Sequence, residues 1–485
     1  MPKKYFTPTL FGVTLLGIVN CGSSASSGDG TGDQPTAGAS GSHPSGTGGA
    51  SPTGTGGVPA VAGTNGLPAA GSNGLPTAGA AGSLPGGLGG GGATSSGGSP
   101  GAAGLGMGGA AMGGSAAGGA AGTNAGGTSA GGNGGGGGPC DVWVAPDGND
   151  ANPGSYAAPV LTPQHAYDLV CPGVAGSVNG NLCSGTRSTL CLKAGTYNLS
   201  TRIEFKKTRM GTESRIITMM ADPAASTKPI LNFAGQPRLA CGENPADKNI
   251  YGIDIGADWY RVKGLEVENA NDSGILVQGA HDFVEDCVVH GSEDTGVLVN
   301  SSSGFTGSGT YATIKNVDSY QNIDKRCNGA NADGFGVKKG VGVGNVFDGC
   351  RAWDNADDGY DLYAWESPVT IKNSWAFNQG ATYSGSESNG NGFKMGGNKV
   401  SAKHVMSNLF GFYNNGNGGH KADWGFTNNS NPASMTCTGC GAWNNTGGAF
   451  QNIAHTGDVS ANATPAKAAA AKRNADGSLP DITKL

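Results

Sequence analysis

A glycine followed by a short strand-forming run recurs seven times in the second half of this chain, and this repeat limits the possible folds most strongly. The steps between successive glycines are 22, 38, 25, 33, 33 and 23 residues, and the glycines are Gly274, Gly296, Gly334, Gly359, Gly392, Gly425 and Gly448. Because each repeat is too small to bury its own apolar side, the repeats must stack as the coils of a solenoid. Residues at the same offset from the glycine then lie about 4.8 Å apart in neighbouring coils.

Strand-forming runs of a second family precede the glycine repeats, and short polar turns separate the two families. These runs begin at Arg261, Phe283, Thr313, Val346, Val369 and Met435. No segment between them has helical length or period, which disfavours a doubly wound α/β fold. Parallel strands joined without helices therefore predict an all-β fold, a right-handed parallel β-helix.

Other local patterns complete the predicted solenoid. Leu161–Val170 has helical spacing and is predicted to cap the first coil, and Leu190–Tyr197 is predicted to be the first coil strand. Asparagines near the turns are expected to hydrogen bond to their equivalents in the next coil, namely Asn269, Asn322, Asn355, Asn378 and Asn445. An inward aromatic stack is expected one place after the glycines, at Tyr360, Phe393 and Phe426.

Composition divides the chain into three parts. Residues 1–21 combine basic residues, the apolar run Leu10–Val19 and Cys21, which predicts a lipoprotein signal with Cys21 as the lipid-bearing residue. The alternative is an ordinary signal peptide cut elsewhere. Residues 22–138 are almost entirely Gly, Ala, Ser, Thr, Pro and Asn, which predicts a disordered tether. Residues 139–485 are the predicted β-helix domain.

This organisation predicts an extracytoplasmic protein, either a surface lipoprotein or a secreted one. We expect a monomer that meets a membrane only through its N-terminal lipid anchor. The net charge is −6 and the chain has no basic tract, which argues against a nucleic-acid partner. An acidic partner stays possible where cations bridge it.

Ten cysteines follow Cys21, and an even number in an exported protein predicts disulfides, with the pairing left open. The register places Cys287 and Cys350 in one inward column, two coils or about 9.6 Å apart, which is too far for a disulfide. We expect these two residues to be buried thiols or to pair sideways. Zinc is not expected at Cys437 and Cys440, because no second pair of that spacing follows.

Four aspartates in the third and fourth repeats carry the predicted chemistry. Asp333 and Asp358 each precede a repeat glycine and therefore stack, and Asp357 and Asp361 flank that stack. Four carboxylates in a small volume repel one another unless a hard cation neutralises them. Oxygen ligands completed by solvent favour Ca²⁺ over a transition metal. The alternative is a set of turn aspartates without a metal.

Lys394 is the predicted general base. It lies two places after Gly392, as Asp361 does after Gly359, so the two side chains are expected to be neighbours on one outward face. A divalent cation nearby would favour the neutral amine and lower the pKa of Lys394 from about 10.4. A neutral amine beside a metal is able to take a proton from a carbon next to a carboxylate.

The same outward face predicts a long shallow groove that suits a linear polymer. Three residues are candidate substrate contacts along it, namely Lys338, Thr427 and Asn429. Lys338 is equally consistent with an ordinary solvated charge, and Thr427 and Asn429 are expected to line further sugar subsites.

The segments NADGFGVK, GNVFDGC, NADDGYDLY and GNGFKMGG resemble the family 9 pectate lyases. The resemblance covers roughly Trp143–Leu485. It implies a right-handed parallel β-helix, acidic polysaccharide as the partner, and Lys394 as the Brønsted base. It also implies that four aspartates hold Ca²⁺, namely Asp333, Asp357, Asp358 and Asp361.

The reaction implied by the resemblance is β-elimination of polygalacturonate. Neutral Lys394 removes the C5 proton, the C4–O bond breaks, and an unsaturated uronide forms without consumption of water. Two alternatives stay open. One is a lyase for another uronic polymer, such as alginate or rhamnogalacturonan, and the other is a non-catalytic carbohydrate-binding or adhesin solenoid.

Overall fold

The structure is a computed structural model that describes residues 139–174, 176, 178, 181–243, 250–301, 308–383, 385–415 and 423–485. The predicted signal peptide with Cys21 and the predicted tether, residues 1–21 and 22–138, lie outside the described residues. Within the described part, no helix has the length and apolar character needed to cross a bilayer.

Three faces of parallel strands run along the solenoid, the first two joined in one 18-stranded sheet and the third forming a 9-stranded sheet. The first face contains β1 Val142–Val144, β2 Thr189–Leu192, β5 Ile217–Ala221, β8 Tyr260–Lys263, β11 Phe283–Glu285, β14 Thr313–Lys315, β17 Val346–Asp348, β24 Thr436–Thr438 and β27 Ala454–Thr456. The second face contains β3 Thr196–Asn198, β6 Ile230–Asn232, β9 Glu266–Glu268, β12 Val288–His290, β15 Asp318–Tyr320, β18 Arg351–Trp353 and β25 Gly441–Trp443.

Two long strands run through both of these faces and join them, namely β20 Thr370–Phe377 and β22 Val405–Phe412. The third face contains β4 Ile203–Phe205, β7 Ile253–Ile255, β10 Ile275–Val277, β13 Val297–Asn300, β16 Phe335–Lys338, β19 Tyr360–Asp361, β21 Phe393–Lys394, β23 Trp424–Thr427 and β26 Gly448–Gln451. The seven repeat strands expected from the glycine pattern all lie in this face, so the predicted parallel β-helix is confirmed.

The second strand family differs from its prediction in one respect. Most of its runs split into two strands, because a residue with positive φ bends the chain between the first and second faces. Examples are Gly264 at φ 74° and Asp286 at φ 55°. Leu190–Tyr197 splits in the same way into β2 and β3. The sequence interpretation also missed β22, which continues both faces.

The predicted capping helix is present as α1, Pro163–Val170, two residues shorter at its start than expected. The Thr162 side chain accepts a hydrogen bond from the backbone N–H of His165, and Pro163 occupies the first turn, where its missing N–H costs nothing. The buried side of α1 lies on β1, β2 and β4 and closes the N-terminal end of the core. A solenoid needs such a cover because its first coil has no neighbour.

Aromatic side chains fill the inward side of the third face. The rings of Phe335, Tyr360, Phe393 and Phe426 stack with centroids 4.7–4.8 Å apart, and Phe450 extends the stack at 4.8 Å. This spacing equals the separation of parallel strands, so the backbone register imposes it. The predicted aromatic stack is confirmed and is longer than expected.

A ladder of side-chain amides lines the turns before the third face. Asn322 donates to Asn355 at 2.9 Å, Asn355 donates to Gln379 at 3.1 Å, and Asn414 donates to Asn445 at 2.9 Å. The prediction placed Asn378 and Asn269 in this ladder, and both placements are wrong by one residue. Asn378 donates to Asp354, because Trp353 pairs with Phe377 and therefore sets Asn355 opposite Gln379. Asn269 donates to Asn232.

The described residues confirm the prediction of disulfides and of buried thiols at Cys287 and Cys350. Cys287 and Cys350 are buried free thiols, and burial raises their pKa values to about 11 and about 12. The other eight form disulfides, namely Cys140–Cys191, Cys171–Cys183, Cys241–Cys327 and Cys437–Cys440.

The C-terminal segment covers the outer side of the second face. α2, Pro465–Ala470, and the 3₁₀ turn Ile482–Lys484 bury a second apolar cluster, which includes Trp375, Phe377, Phe410 and Phe412. Beneath it, Asp318 pairs with both Arg351 and Arg473, and these two arginines hold the pKa of that carboxyl below its usual value against the opposing effect of burial. The segment is therefore part of the folded domain.

His404 gives the fold a titratable core group. It is 3% exposed, its Nδ1 accepts from the backbone N–H of Val369 at 3.1 Å, and burial lowers its pKa from 6.5 to about 4. As the pH falls, His404 is protonated in the unfolded chain at a higher pH than in the folded protein. The stability linked to neutral His404 is therefore present above pH 6.5 and is lost as the pH falls towards 4. The loss should reach roughly 3 kcal/mol.

The amide oxygen of His404→Asn is also able to accept from Val369. Between pH 7 and pH 4, we expect the free energy of unfolding of this variant to fall by about 3 kcal/mol less than that of wild type. Urea unfolding of both proteins at the two pH values measures this difference. Parallel losses in the two proteins would contradict the assignment.

Candidate metal and catalytic site

The predicted site residues meet on the outward side of the third face. Asp361 of β19 pairs with Lys394 of β21, as the sequence register predicted, and Gly336 of β16 pairs with Asp361 on the other side. Asp333 lies in the turn before β16, and Asp358 lies in the equivalent turn of the next coil. The site therefore spans three consecutive coils.

The repeat glycines explain how these turns approach so closely. A Cβ on Gly359 would lie 2.6 Å from the carbonyl oxygen of Gly392 and 2.8 Å from the Cβ of Ala376. Any larger residue would push the turn away from the second face. The glycine thus fixes the position of the aspartates that immediately precede it.

Three carboxylates converge in this turn region. Asp333, Asp357 and Asp358 are buried, and each offers an oxygen within 4.8 Å of the oxygens offered by the other two. Asp361 lies further along the strand, with its Oδ2 3.2 Å from Lys338 Nζ and 3.5 Å from Lys394 Nζ. The four predicted ligands are therefore one cluster, of which three form the tightest group.

Asparagines orient two of the carboxylates. Asp357 Oδ1 accepts from the backbone N–H of Asn389 at 2.6 Å, and Asp358 Oδ1 accepts from the backbone and side-chain amides of Asn391 at 2.8 Å each. Such partners leave the second oxygen of each carboxylate turned towards the cluster. The sequence interpretation missed both asparagines, although Asn391 precedes Gly392 as Asp358 precedes Gly359.

Buried oxygens without a partner show that the cluster fits a cation. Asp357 Oδ2 and Asp361 Oδ1 are buried and make no hydrogen bond. A buried carboxylate oxygen in that state is costly unless a positive charge faces it. When fully ionised, these four carboxylates and the two ammonium groups of Lys338 and Lys394 carry a formal charge of −2. A hard divalent cation with oxygen ligands, such as Ca²⁺, matches both the donors and the charge.

The charges of the nearby carboxylates determine the pKa of Lys394. Its Nζ lies 2.9 Å from Asp358 Oδ2. Burial lowers the pKa of Lys394, but the charges of Asp358, Asp361, Asp357 and Asp333 outweigh burial and raise that pKa well above its usual value. Burial and the neighbouring carboxylates raise the pKa of Asp333 to about 7. The predicted lowering of the Lys394 pKa by a bound divalent cation stays a prediction.

The three predicted substrate contacts occupy different environments. Lys338 is drawn into the cluster, where its Nζ contacts Asp333 and lies 3.2 Å from Asp361. Thr427 follows Lys394 in register and donates to Gln451 at 2.6 Å. Asn429 donates to the carbonyl of Gly396 at 3.0 Å. Lys338 and Thr427 lie in strands of the third face, whereas Asn429 lies in the turn after β23. Contact of these residues with a substrate stays a prediction.

Comparisons with known proteins agree with the fold. A family model described as the Pel9A-like right-handed β-helix region matches residues 142–462. Pectate lyase L of Paenibacillus polymyxa (strain SC2) is 35% identical over 63% of this chain and 63% of its own length. Pectate lyase PEL9 of Emericella nidulans is 30% identical over 64% of this chain and 75% of its own length.

Solved structures show the same architecture. Pectate lyase Pel9A superposes with a TM-score of 0.52 at 26% identity, covering 70% of this chain and 87% of that one. A rhamnogalacturonan lyase superposes with a TM-score of 0.51 at 20% identity, a likeness of fold alone. The chain spans 63% of the length of its Paenibacillus relative and 63% of pectate lyase L from Dickeya dadantii.

Removing one carboxylate charge tests the cation site. We expect Asp358→Asn to bind Ca²⁺ at least tenfold more weakly than wild type, because it keeps the side-chain shape but removes a charge from the cluster. Isothermal titration calorimetry on the full chain measures the affinity. Asp348→Asn is the matched control, since Asp348 lies on the first face beside Lys372. Equal weakening in both variants, or in neither, would contradict the assignment.

Proposed function

The chain belongs to the Pel9A-like right-handed β-helix family, and from that premise we propose that it is a calcium-dependent pectate lyase that cleaves polygalacturonate by β-elimination. The observation that carries the proposal is the position of Lys394, whose Nζ lies 2.9 Å from Asp358 in a cluster with unpartnered carboxylate oxygens. The pectate lyase names of the relatives support the substrate class.

The outward side of the third face supports a polymer-binding groove. Leu298, Gly336, Asp361, Lys394 and Thr427 follow one another in register along it. Such a row runs along the solenoid axis and lets several sugar units contact successive coils. The cluster of aspartates and lysines lies within this row.

Lys394 acts as the base in the proposed reaction. Its amine takes the C5 proton of a galacturonate unit, the C5–H electron pair forms the C4=C5 double bond, and the C4–O bond breaks. The bonding pair leaves with the oxygen, which takes a proton from solvent. Calcium, when bound to the aspartates, would hold the uronate carboxylate and offset the charges that now keep the pKa of Lys394 high.

The arrangement of acids favours elimination over hydrolysis. Glycosidases use two separated carboxyl groups, one of them an acid that protonates the leaving oxygen. Here Asp333, Asp357 and Asp358 crowd together within 4.8 Å, and a lysine stands beside them. A cation site with an amine base suits proton removal from carbon.

Loss of the amine should abolish the reaction. We expect Lys394→Ala to lower kcat on polygalacturonate by roughly 10²–10⁴-fold, the range for a removed general base. Ultraviolet absorbance of the unsaturated product measures the rate, with calcium and with a chelator. Lys372→Ala is the control, because Lys372 pairs with Asp348 on another face.

The same assay separates the alternatives. Absorbance from alginate or rhamnogalacturonan, with none from polygalacturonate, would replace the proposed substrate by another uronic polymer. Polymer binding without absorbance from any of the three would support the non-catalytic solenoid and overturn the lyase.

We also propose that the domain acts outside the cytoplasm, anchored through lipidated Cys21. Four disulfides in the described residues support an oxidising compartment. We expect Cys21→Ala to move the protein from the membrane fraction to the soluble fraction of an expressing bacterium. An unchanged distribution would contradict the lipid anchor.

A further inference from the structure

We propose that Lys338 is a built-in counter-cation of the aspartate cluster, which holds Asp333 and Asp361 until a divalent cation displaces it. Once displaced, its ammonium faces the groove and binds a carboxylate of the polymer. Lys338 thus weakens calcium binding in the free protein and strengthens substrate binding in the loaded one. This inference rests on the proposed calcium-dependent lyase function.

The contacts of Lys338 place its charge between two coils. Its Nζ contacts Asp333, which lies before β16, and lies 3.2 Å from Asp361 Oδ2 in β19. The two carboxylates are almost fully buried, and only 16% of the Lys338 side chain is exposed. Two of the four predicted calcium ligands are therefore already paired with an internal cation.

Gly336 provides the space that lets Lys338 fold back. A Cβ on Gly336 would lie 3.3 Å from Lys338 Cε and 3.0 Å from Leu298 Cδ1. The register neighbours of Gly336 in the row are Leu298 and Asp361, which carry side chains where Gly336 has none. The stem of Lys338 thus lies in the gap above Gly336. This position directs its ammonium into the cluster instead of along the groove.

Electrostatics makes Lys338 and a divalent cation competitors. Both need the oxygens of Asp333 and Asp361, and two positive charges a few ångströms apart repel each other strongly at low dielectric. Lys338 is able to leave the cluster by rotation of its long flexible stem. Lys394 contacts Asp361 as well, but it contacts Asp358 more closely. Lys338 is therefore the cation that bridges the first and second coils of the site.

Displacement would carry the ammonium to the groove beside the cluster. Lys338 lies two residues beyond Gly336 on the same outward side of β16. An anionic polymer in the groove offers carboxylates there. The freed Lys338 ammonium therefore loses its contact with the aspartates and pairs with a substrate carboxylate. A residue with this double role affects calcium affinity and substrate affinity in opposite directions.

Lys338→Met tests the inference, because it keeps the apolar stem and removes the charge. We expect its calcium dissociation constant, measured calorimetrically on the full chain without substrate, to fall at least tenfold. Its KM for polygalacturonate at saturating calcium should rise at least threefold. Lys372→Met is the matched control and should match wild type in both measurements.

Two further variants separate the charge from the position of Lys338. Lys338→Arg keeps the charge and should bind calcium within threefold of wild type. Gly336→Ala keeps both lysines but adds a methyl group 3.3 Å from the Lys338 stem, besides 3.0 Å from Leu298 and 3.2 Å from Thr295. Displacement of the stem should make this variant bind calcium more tightly than wild type. Circular dichroism melts verify that each variant is folded.

The outcomes distinguish failure of this inference from failure of the proposed function. Unchanged or weaker calcium binding in folded Lys338→Met overturns the counter-cation role while wild type remains a calcium-dependent lyase. An unchanged KM in that variant overturns the substrate contact. Absence of calcium binding by wild type would overturn the calcium site itself, and the inference with it.

Discussion

Backbone pairing between successive coils of the third face is the constraint on which the rest of the site depends. The N–H of Gly334 donates to the carbonyl of Asp358 at 3.0 Å, and the N–H of Gly359 donates to the carbonyl of Asn391 at 2.8 Å. These bonds hold the residues before the glycines one above another at strand spacing. The carboxylates therefore cannot move apart to relieve their repulsion, which a nearby positive charge or protonation must offset.

A rigid scaffold is what makes such a cluster tolerable. The inward aromatic stack of the third face and the ladder of amides in its turns tie each coil to the next over the whole length of the site. Asp361 and Lys394 lie on regular strands, which keep their geometry better than loops, and the turn aspartates lie one or two residues from glycines bonded to the next coil. The aspartates and lysines are then held within a few ångströms of one another without distortion of the coils. Their charges become available for binding and proton transfer.

Much of this arrangement was predictable because a solenoid converts sequence offsets into positions. The neighbour relation of Asp361 and Lys394 followed from their common distance to a glycine, and so did the inward stack. The single-residue errors at Asn269 and Asn378 arose where left-handed turn residues change the count between faces. The capture of Lys338 by Asp333 and Asp361 was not predictable, because it depends on the conformation of a long side chain over Gly336.

Diffraction from crystals grown with a lanthanide that replaces calcium tests the assignment of the cluster most directly. We expect one strong anomalous peak at bonding distance from the carboxylates of Asp333, Asp357 and Asp358, with the amine of Lys394 beside it and the ammonium of Lys338 turned into the groove. A peak elsewhere on the solenoid, with these carboxylates still paired to both lysines, would contradict a cation-dependent site on the third face.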